Sequence, residues 1–380
     1  MTPEEVALLS ELTIIIPTYN RPLELERAIE YWRDTPVTVH ILDGSEKPWF
    51  PIGVFSGTNT ISYNHVPQNI GESSAGNYSR RIALATELAK TNYSALCSDD
   101  DFFTIPGLVF AIQALKNDKS DVVIGRCAQY LFREENFEWK RINWDWRSDE
   151  LSLSSVIWDR FASNSKGSTY YGIYKTPDWK KIRLSSVQSS FSHVGAIENI
   201  SNFLTKRALR VLFIDSYLWI TNYPDKKYPN YKVKKMLQKF SDWLNEPRNK
   251  QEVQTLLLVL ESGFKKFLPE DMSHLSRLMA KKVLVDKVAP KDLSFSQRLR
   301  TNFSIAVLKV MSSLPEFFRR TVFSLLTDKW KKVLRTPDFV DSRTPVVDID
   351  SNDPVLAEAI RKWERILLMP REELRLRANI

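Results

Sequence analysis

The chain has 380 residues, with 54 Lys and Arg against 46 Asp and Glu, a formal charge of +8. At roughly 150 residues per domain this length makes two to three structural units, and the ordinary globular content of 43% hydrophobic and 26% charged residues excludes a disordered or fibrous chain. The positive excess invites a polyanion, an anionic membrane surface or a phosphorylated ligand, without choosing among them.

Cys97 and Cys127 have no CxxC spacing, so neither a zinc site nor a disulfide framework is indicated and a reducing cytoplasm fits. The opening MTPEEVALLSE carries acids where a secretory signal carries Lys or Arg, and no apolar run approaches 18 residues. The expected location is therefore cytoplasmic, in solution or peripherally at the inner face of the membrane. The histidines at 40, 65, 193 and 274 show no metal-ligand spacing, which leaves carboxylates to supply any metal site.

In chain order, Thr2, Pro3 and Glu5 form a helix start with Thr2 as N-cap. LTIIIP (12–17) is a continuous β-branched run, the mark of a strand covered on both faces. The breaker TYNRP follows, then a helical spacing of Leu23, Leu25, Ala28, Ile29 and Trp32, then the strand VTVHIL (37–42) and the turn Asp43-Gly44-Ser45. NTISYNHV (59–66) reads as a strand, QNIGESSAG as a loop, the next stretch to Lys90 as a helix, and YSALCS (93–98) as a strand closed by Asp99-Asp100-Asp101. Strands alternating with helices predict a Rossmann-like sheet whose ligands lie beyond the carboxyl ends of the strands, where TYNR, DGS and DDD all fall. After 106 a helix (PGLVFAIQALKN), an extended run (DVVIGRCAQYLF) and a short strand (YYGIY, 170–174) follow; beyond Tyr228 the chain reads as helices, with a boundary near 225–235. Residues 281–336 hold 13 Lys or Arg against 4 acids.

Consecutive aspartates at a strand tip repel unless a cation or donors compensate, and a hard divalent ion sharing oxygens with a diphosphate is a natural compensator. The other role for the triplet is to cap the helix starting near Pro106; its place after an apolar strand in a βαβ series favours the metal. Asp43 is placed either to accept from a ribose or base N–H or simply to make a type I turn with Gly44. In NIGESSAGNYSRR, Gly71 and Gly76 allow close backbone approach, Asn77 offers a polar contact, and Arg80 and Arg81 stand near a helix start, as anion ligands or as solvated helix residues. The loop lacks the GK[ST] ending of a Walker A motif. Aromatic residues gather between 137 and 179 (Trp139, Trp144, Trp146, Trp158, Tyr170, Tyr171, Tyr174, Trp179), as a sugar-stacking acceptor subsite or as the core of a second layer.

TIIIPTYNR, ILDGS, NIGESSAGN and CSDDD, in this order and spacing, resemble the landmarks of the family 2 type glycosyltransferases of the GT-A fold over about residues 11–125. The resemblance implies an α/β protein with a mixed-sheet nucleotide-sugar domain over 1–228 and a helical, basic region over 229–380. It implies that Pro17, Thr18, Tyr19 and Arg21 line the base, that Asp43 contacts the uridine-like part, and that Asn77, Arg81, Asp99 and Asp100 complete the nucleotide-sugar site. It also makes DDD the DXD motif, with Asp99 and Asp101 toward Mn²⁺ or Mg²⁺. Two departures stand out: Ala75-Gly76-Asn77 replaces the usual Ala-Arg-Asn, and Ser98 replaces the first acid of Asp-x-Asp-Asp.

The best match to the family's Glu-Asp base is Glu198-Asn199, with Asp159 and Asp215 in reserve; Glu198 is either the general base of an inverting transfer or an N-terminal helix acid. The implied activity is metal-dependent, inverting, hexosyltransferase-type transfer from a nucleotide-diphosphate sugar to a glycan or lipid-linked acceptor, in bacterial surface polysaccharide assembly. The competing expectation is a non-catalytic carbohydrate- or nucleotide-binding protein that docks on a membrane or partner. In PEFFRRTVFSLLTDKWKKVLR (315–335) apolar residues recur at helical spacing among bases, giving a helix that lies on anionic lipid or packs on its neighbours. No nucleic-acid partner is expected.

Overall fold

The computed structural model describes residues 1–49, 60–117, 120–132, 137–140, 169–188, 191–222, 240–266, isolated positions between 268 and 280, and 354–377. Helix α1 (Pro3–Leu9) begins with the expected capping box: Thr2 N–H donates to Glu5 Oε2 at 2.6 Å and Glu5 N–H to Thr2 Oγ1 at 3.2 Å. Strand β1 (Leu12–Thr18) lies between β2 (Thr38–Asp43) and β4 (Tyr93–Leu96), parallel to both, and β3 (Ile61–His65) pairs parallel to β2. Helices α2 (Pro22–Trp32) and α3 (Ser74–Leu88) make the crossovers. Pro22 opens α2, while Ser73 caps α3 by accepting from Gly76 N–H at 3.0 Å. After β5 (Phe102–Phe103), α4 (Ile105–Lys116) is capped by Thr104, whose Oγ1 accepts from Gly107 N–H at 3.1 Å. The cap role weighed for the aspartate triplet thus belongs to Thr104.

The sheet continues through β6 (Val122–Phe132), β7 (Phe137–Lys140), β8 (Ile173–Lys175) and β9 (Val211–Asn222), with α5 (Thr176–Val187) and α6 (Val194–Ala208) before β9. Among the described residues the sheet has nine strands in the order β3-β2-β1-β4-β8-β6-β9-β5, with β7 beside β6. Strand β8 runs antiparallel to β4 and β6, so the sheet is mixed, as expected. The YYGIY strand is displaced: Thr169–Tyr171 forms a 3₁₀ turn and the strand is Ile173–Lys175. Strand β9 went unrecognised in the sequence because Asp215-Ser216 breaks its apolar run. The sheet accommodates that interruption with a bulge, for Gly125 pairs with Ile214 while Arg126 pairs with Tyr217.

Alternate side chains of β1 enter opposite cores, as the two-residue period of a strand requires. Ile14 and Ile16 join one core with α2 and α4, and Ile15 joins the other with α5 and α6. Helix α7 (Phe240–Asn245) and α8 (Lys250–Lys265) pack into the second core, whereas α9 (Pro354–Leu367) and α10 (Arg371–Arg377) bury Trp363, Ile366, Leu367 and Leu374 in the first. Described helices from both sides of the expected 228/229 boundary therefore share cores. Tyr170, Tyr174 and Trp179 are buried around the fully buried Arg183, whose Cζ lies 4.1 Å from the Tyr170 ring centroid; for these three rings the core role holds. The basic stretch 281–336, the 315–335 helix, Asp159, Trp144, Trp146 and Trp158 lie outside the described residues.

Trp363 packs against Phe102 at 4.5 Å and Tyr31 at 5.6 Å between ring centroids. Trp363→Ala is expected to destabilise the whole fold by about 3–5 kcal/mol, the usual result of emptying a buried aromatic site. Chemical denaturation checks this, and a loss below about 1 kcal/mol would mean that α9 is peripheral to the core.

Candidate functional site

Three parallel strands bring their carboxyl ends level: Thr18 pairs with Asp43 and Asp43 with His65. Asp43 is 1% exposed. Its Oδ1 accepts from Ser45 N–H at 2.9 Å and Ser45 Oγ at 2.5 Å, and its Oδ2 accepts from Tyr63 Oη at 2.5 Å. The Asp-Gly-Ser turn is thus real, and Tyr63 gives the outer oxygen a second anchor. Tyr63 was not foreseen, because a tyrosine two-thirds of the way along NTISYNHV carries no mark of the strand it will face.

On the other side of Thr18 lies the aspartate triplet. Thr18 Oγ1 donates to Asp99 Oδ2 at 2.7 Å; Arg21 Nη1 donates to Asp99 Oδ1 at 2.6 Å and Nη2 to Asp100 Oδ2 at 2.7 Å. Burial pushes the Asp99 carboxyl up to about 7, against the pull of Arg21, with Asp100 adding to the rise and the Thr18 hydrogen bond opposing it. Burial disfavours the Arg21 cation, yet Asp99 and Asp100 outweigh it and hold the guanidinium charged. Asp101 has a different partner, its Oδ2 accepting from Trp219 Nε1 at 3.2 Å.

Arg81 is buried beneath the strand ends, where Nη1 donates to Thr18 O at 2.7 Å and Leu42 O at 3.1 Å. Burial lowers its pKa, partly offset by Tyr78, Asp43 and Asp99. Asn77 is also buried, and Nδ2 donates to Val66 O at 2.9 Å. Both side chains brace the backbone that carries Thr18 and Asp43. Arg80 turns outward to Glu72, 3.0 Å away. Pro17 pairs with Leu42 in the sheet, and Tyr19 is half-buried at the strand end.

Glu198 lies on the second turn of α6 and is partly buried. Burial raises its pKa, opposed by Arg183. Tyr171 has its phenol pushed up by burial and then by the charges of Glu198 and Asp101. Its ring stacks on Trp219 at 4.2 Å, and Oη is 3.2 Å from Ser98 Oγ. Tyr171 was noted only as one ring of the 137–179 cluster, and Trp219 was missed together with β9.

A cavity of about 240 Å³ opens beside the strand ends, lined by Thr18, Asn20, Arg21, Pro22, Leu25, Asp43, Ser45, Lys47 and Trp49. Among the described residues no three His, Cys, Asp or Glu side chains form a metal cage. Carboxylate oxygens such as those of Asp99, Asp100 and Asp101 are the donor type that hard divalent ions such as Mg²⁺ and Mn²⁺ take, one or two at a time.

No family model and no curated protein matches the chain. Among solved structures it is similar to S. aureus TarS, with a TM-score of 0.38 and 14% identity over 73% of this chain and 53% of that one. It is likewise similar to TarS 1-349 (TM-score 0.38, 13% identity, 73% and 88% covered). The same holds for TarS 1-349 in complex with UDP-GlcNAc (TM-score 0.37, 13% identity, 74% and 82% covered). The chain spans about half the length of the full TarS chain, at 53%.

A Cβ added at Gly44 would sit 2.5 Å from Asn77 Oδ1 and 2.8 Å from Arg81 Cζ. Arg81 is held by two carbonyls and cannot retreat without uncoupling β1 from β2. Gly44→Ala is therefore expected to cost about 1–3 kcal/mol of stability, the usual penalty of overpacking. Urea denaturation measures it, and wild-type stability would show that the Arg81 brace yields freely.

Proposed function

We propose that the protein is a glycosyltransferase that moves a sugar from a nucleotide-diphosphate sugar to a hydroxyl of a glycan or lipid-linked acceptor. The observation that carries this reading is the convergence of Asp43, Thr18, Arg21 and the aspartate triplet on the carboxyl ends of parallel strands, beside one open cavity. It is the rim on which the four sequence landmarks fall. Asp43 and the turn that holds it serve the nucleoside, the cavity its base, and Arg21 and the triplet the diphosphate.

In the proposed reaction a lone pair of the acceptor hydroxyl forms a bond to the anomeric carbon as the bond from that carbon to the diphosphate oxygen breaks. The nucleoside diphosphate leaves with the electron pair, the hydroxyl proton passes to the Glu198 carboxylate, and the configuration inverts. The raised pKa of Glu198 suits a base that must capture a proton near neutrality. Arg21 offers a guanidinium that exchanges carboxylate oxygens for phosphate oxygens. A Mg²⁺ or Mn²⁺ ion held by Asp99 and Asp101 would supply charge neutralisation for the leaving diphosphate. Tyr171 and Trp219 stack on one another beside Ser98 and Asp101, and the pair is the proposed aromatic contact for a sugar ring. A surface-polysaccharide acceptor and an anionic membrane surface, approached through the basic 281–336 stretch, belong to the same proposal.

Asp99→Asn and Asp101→Asn are expected to abolish metal-dependent binding of UDP-sugars while the protein stays folded. A thermal-shift series with and without Mn²⁺ reads this, and unchanged shifts in both variants would remove the triplet from the donor site. Asp43→Ala should weaken nucleotide affinity by about 1–3 kcal/mol in the same assay, as the loss of a buried acceptor does.

Glu198→Gln should lower turnover by two or more decades with donor affinity retained. In the wild type, activity should rise with pH through a limb placed above the ordinary glutamate range, since only the deprotonated carboxylate can accept the proton. Arg183 now opposes the rise in that pKa, so Arg183→Met should move the limb further up. A limb unmoved by Arg183→Met and still present in Glu198→Gln would assign the base to another residue.

A further inference from the structure

One residue of the cavity beside Asp43 is contacted by a part of the chain more than 300 positions away. Trp49, which lines it, has the Arg371 Cζ 4.9 Å and the Arg375 Cζ 5.2 Å from its ring centroid. These two arginines are four residues apart on α10 and so share one face of that helix. Each also grips Glu26 of α2, Arg371 Nε donating to Oε2 and Arg375 Nε to Oε1, both at 3.0 Å. The Glu26 side chain is 0% exposed, and a buried carboxylate is tolerated only with such partners. Leu374 on α10 is sunk in the core, and Arg377 reaches Glu30 of α2 at 3.3 Å, so the helix is pinned along its length.

Trp49 is held from its other side as well. Its backbone N–H donates to Tyr63 Oη at 2.9 Å, and that hydroxyl donates to Asp43 Oδ2 at 2.5 Å. A continuous set of contacts therefore runs from α10 through Trp49 and Tyr63 to Asp43. The Glu26 pairs alone would dock α10, and two cations within reach of one indole add what docking does not need: an oriented ring beside a cavity.

The geometry points to α10 as the support behind one wall of the nucleoside pocket: Arg371 and Arg375 are positioning residues that hold Trp49 where its ring meets the flat base of a nucleoside diphosphate. This inference rests on the donor-site reading above and adds that the pocket is incomplete without the C-terminal helix. Stacking of a base on an aromatic ring depends on the ring's being fixed before the base arrives, and the planar guanidinium groups fix it.

Isothermal titration of the full chain with UDP and, separately, with inorganic pyrophosphate tests it, because the two probes share the diphosphate and differ in the base. R371M/R375M and Trp49→Ala are each expected to weaken UDP binding at least tenfold and to leave pyrophosphate binding within twofold of wild type. Combining all three substitutions should add less than twofold, since the arginines act through the ring. R371K/R375K keeps a cation for Glu26 and removes only the planar groups. It is expected to fold as wild type and still lose at least threefold in UDP affinity, and it decides on the same criteria if R371M/R375M fails to fold.

Wild-type UDP affinity in a folded arginine variant would overturn the inference. Equal losses for UDP and pyrophosphate, or fully additive losses with Trp49→Ala, would do the same. If the wild-type protein binds none of UDP, GDP and ADP, the donor-site reading itself falls and takes this inference with it. Nucleotide binding that the arginine variants leave intact removes the wall alone.

Discussion

Three adjacent carboxylates at the end of a buried strand cannot stand together uncompensated, and much of the site's architecture answers that constraint. Arg21 answers it by bridging Asp99 and Asp100, with Thr18 donating to the remaining Asp99 oxygen. To bring Arg21 back over the strand end, Asn20 adopts a left-handed backbone with φ of 53°, a conformation that asparagine tolerates better than most residues. Pro22 then starts α2 at once. The same bend lets Asn20 N–H donate to Ser45 Oγ at 2.8 Å, and Ser45 is a partner of Asp43. Charge compensation at the triplet and orientation of Asp43 are thereby parts of one network, and a change at Arg21 reaches both. Removing Arg21 would leave Asp99, whose side chain is 4% exposed, without its cation; the guanidinium is itself 39% exposed, so solvent screens part of that loss.

Arg81 shows a second way to house a cation. Its Nη1 donates to the carbonyls of both Thr18 and Leu42, which brings the ends of β1 and β2 to a common anchor, while its buried Nε has no hydrogen-bond partner. Gly44 has no side chain because that space is taken by Arg81 and Asn77. The absence of an arginine at Gly76, where the sequence departs from the family pattern, thus coexists with a buried arginine one helical turn later. The two arginines divide the work: Arg21 is partly exposed at the cavity and able to exchange partners, and Arg81 is a fixture.

What could be read from the sequence follows from the range of the interactions involved. The Thr2 cap, the buried run of β1, and the placement of DGS and DDD at strand ends rest on neighbours in the chain, and local periodicity reports neighbours. Strand β9 was hidden because its pairing with β6 tolerates an interruption at Asp215-Ser216 that only the partner strand explains. Trp219 meets Asp101 across 118 positions, and Arg375 meets Glu26 across 349. Neither contact has a local signature, so the aromatic flank of the site and the C-terminal wall were invisible in a single sequence. Arg81 illustrates the intermediate case: its position near a helix start suggested an anion ligand, and only the sheet's geometry assigns it to carbonyls.

The two sides of the site are built with different stiffness. Asp43, Thr18 and Asp99 hang from strand ends whose backbones are paired, and their side chains are hydrogen-bonded to neighbours, so the strand-end side is set before any ligand arrives. Glu198 belongs to a helix packed in the opposite core, and its link to the triplet runs through Tyr171, which rests against Trp219 by stacking and reaches Ser98 through a single hydroxyl contact. Stacked rings slide at small cost, whereas bidentate ion pairs do not. In the proposed reaction, adjustment to an acceptor would fall on the Tyr171 and Trp219 side, with the strand ends as the fixed reference for the attacking hydroxyl. The phenol of Tyr171 is kept protonated by its burial, with the charges of Glu198 and Asp101 adding to the rise.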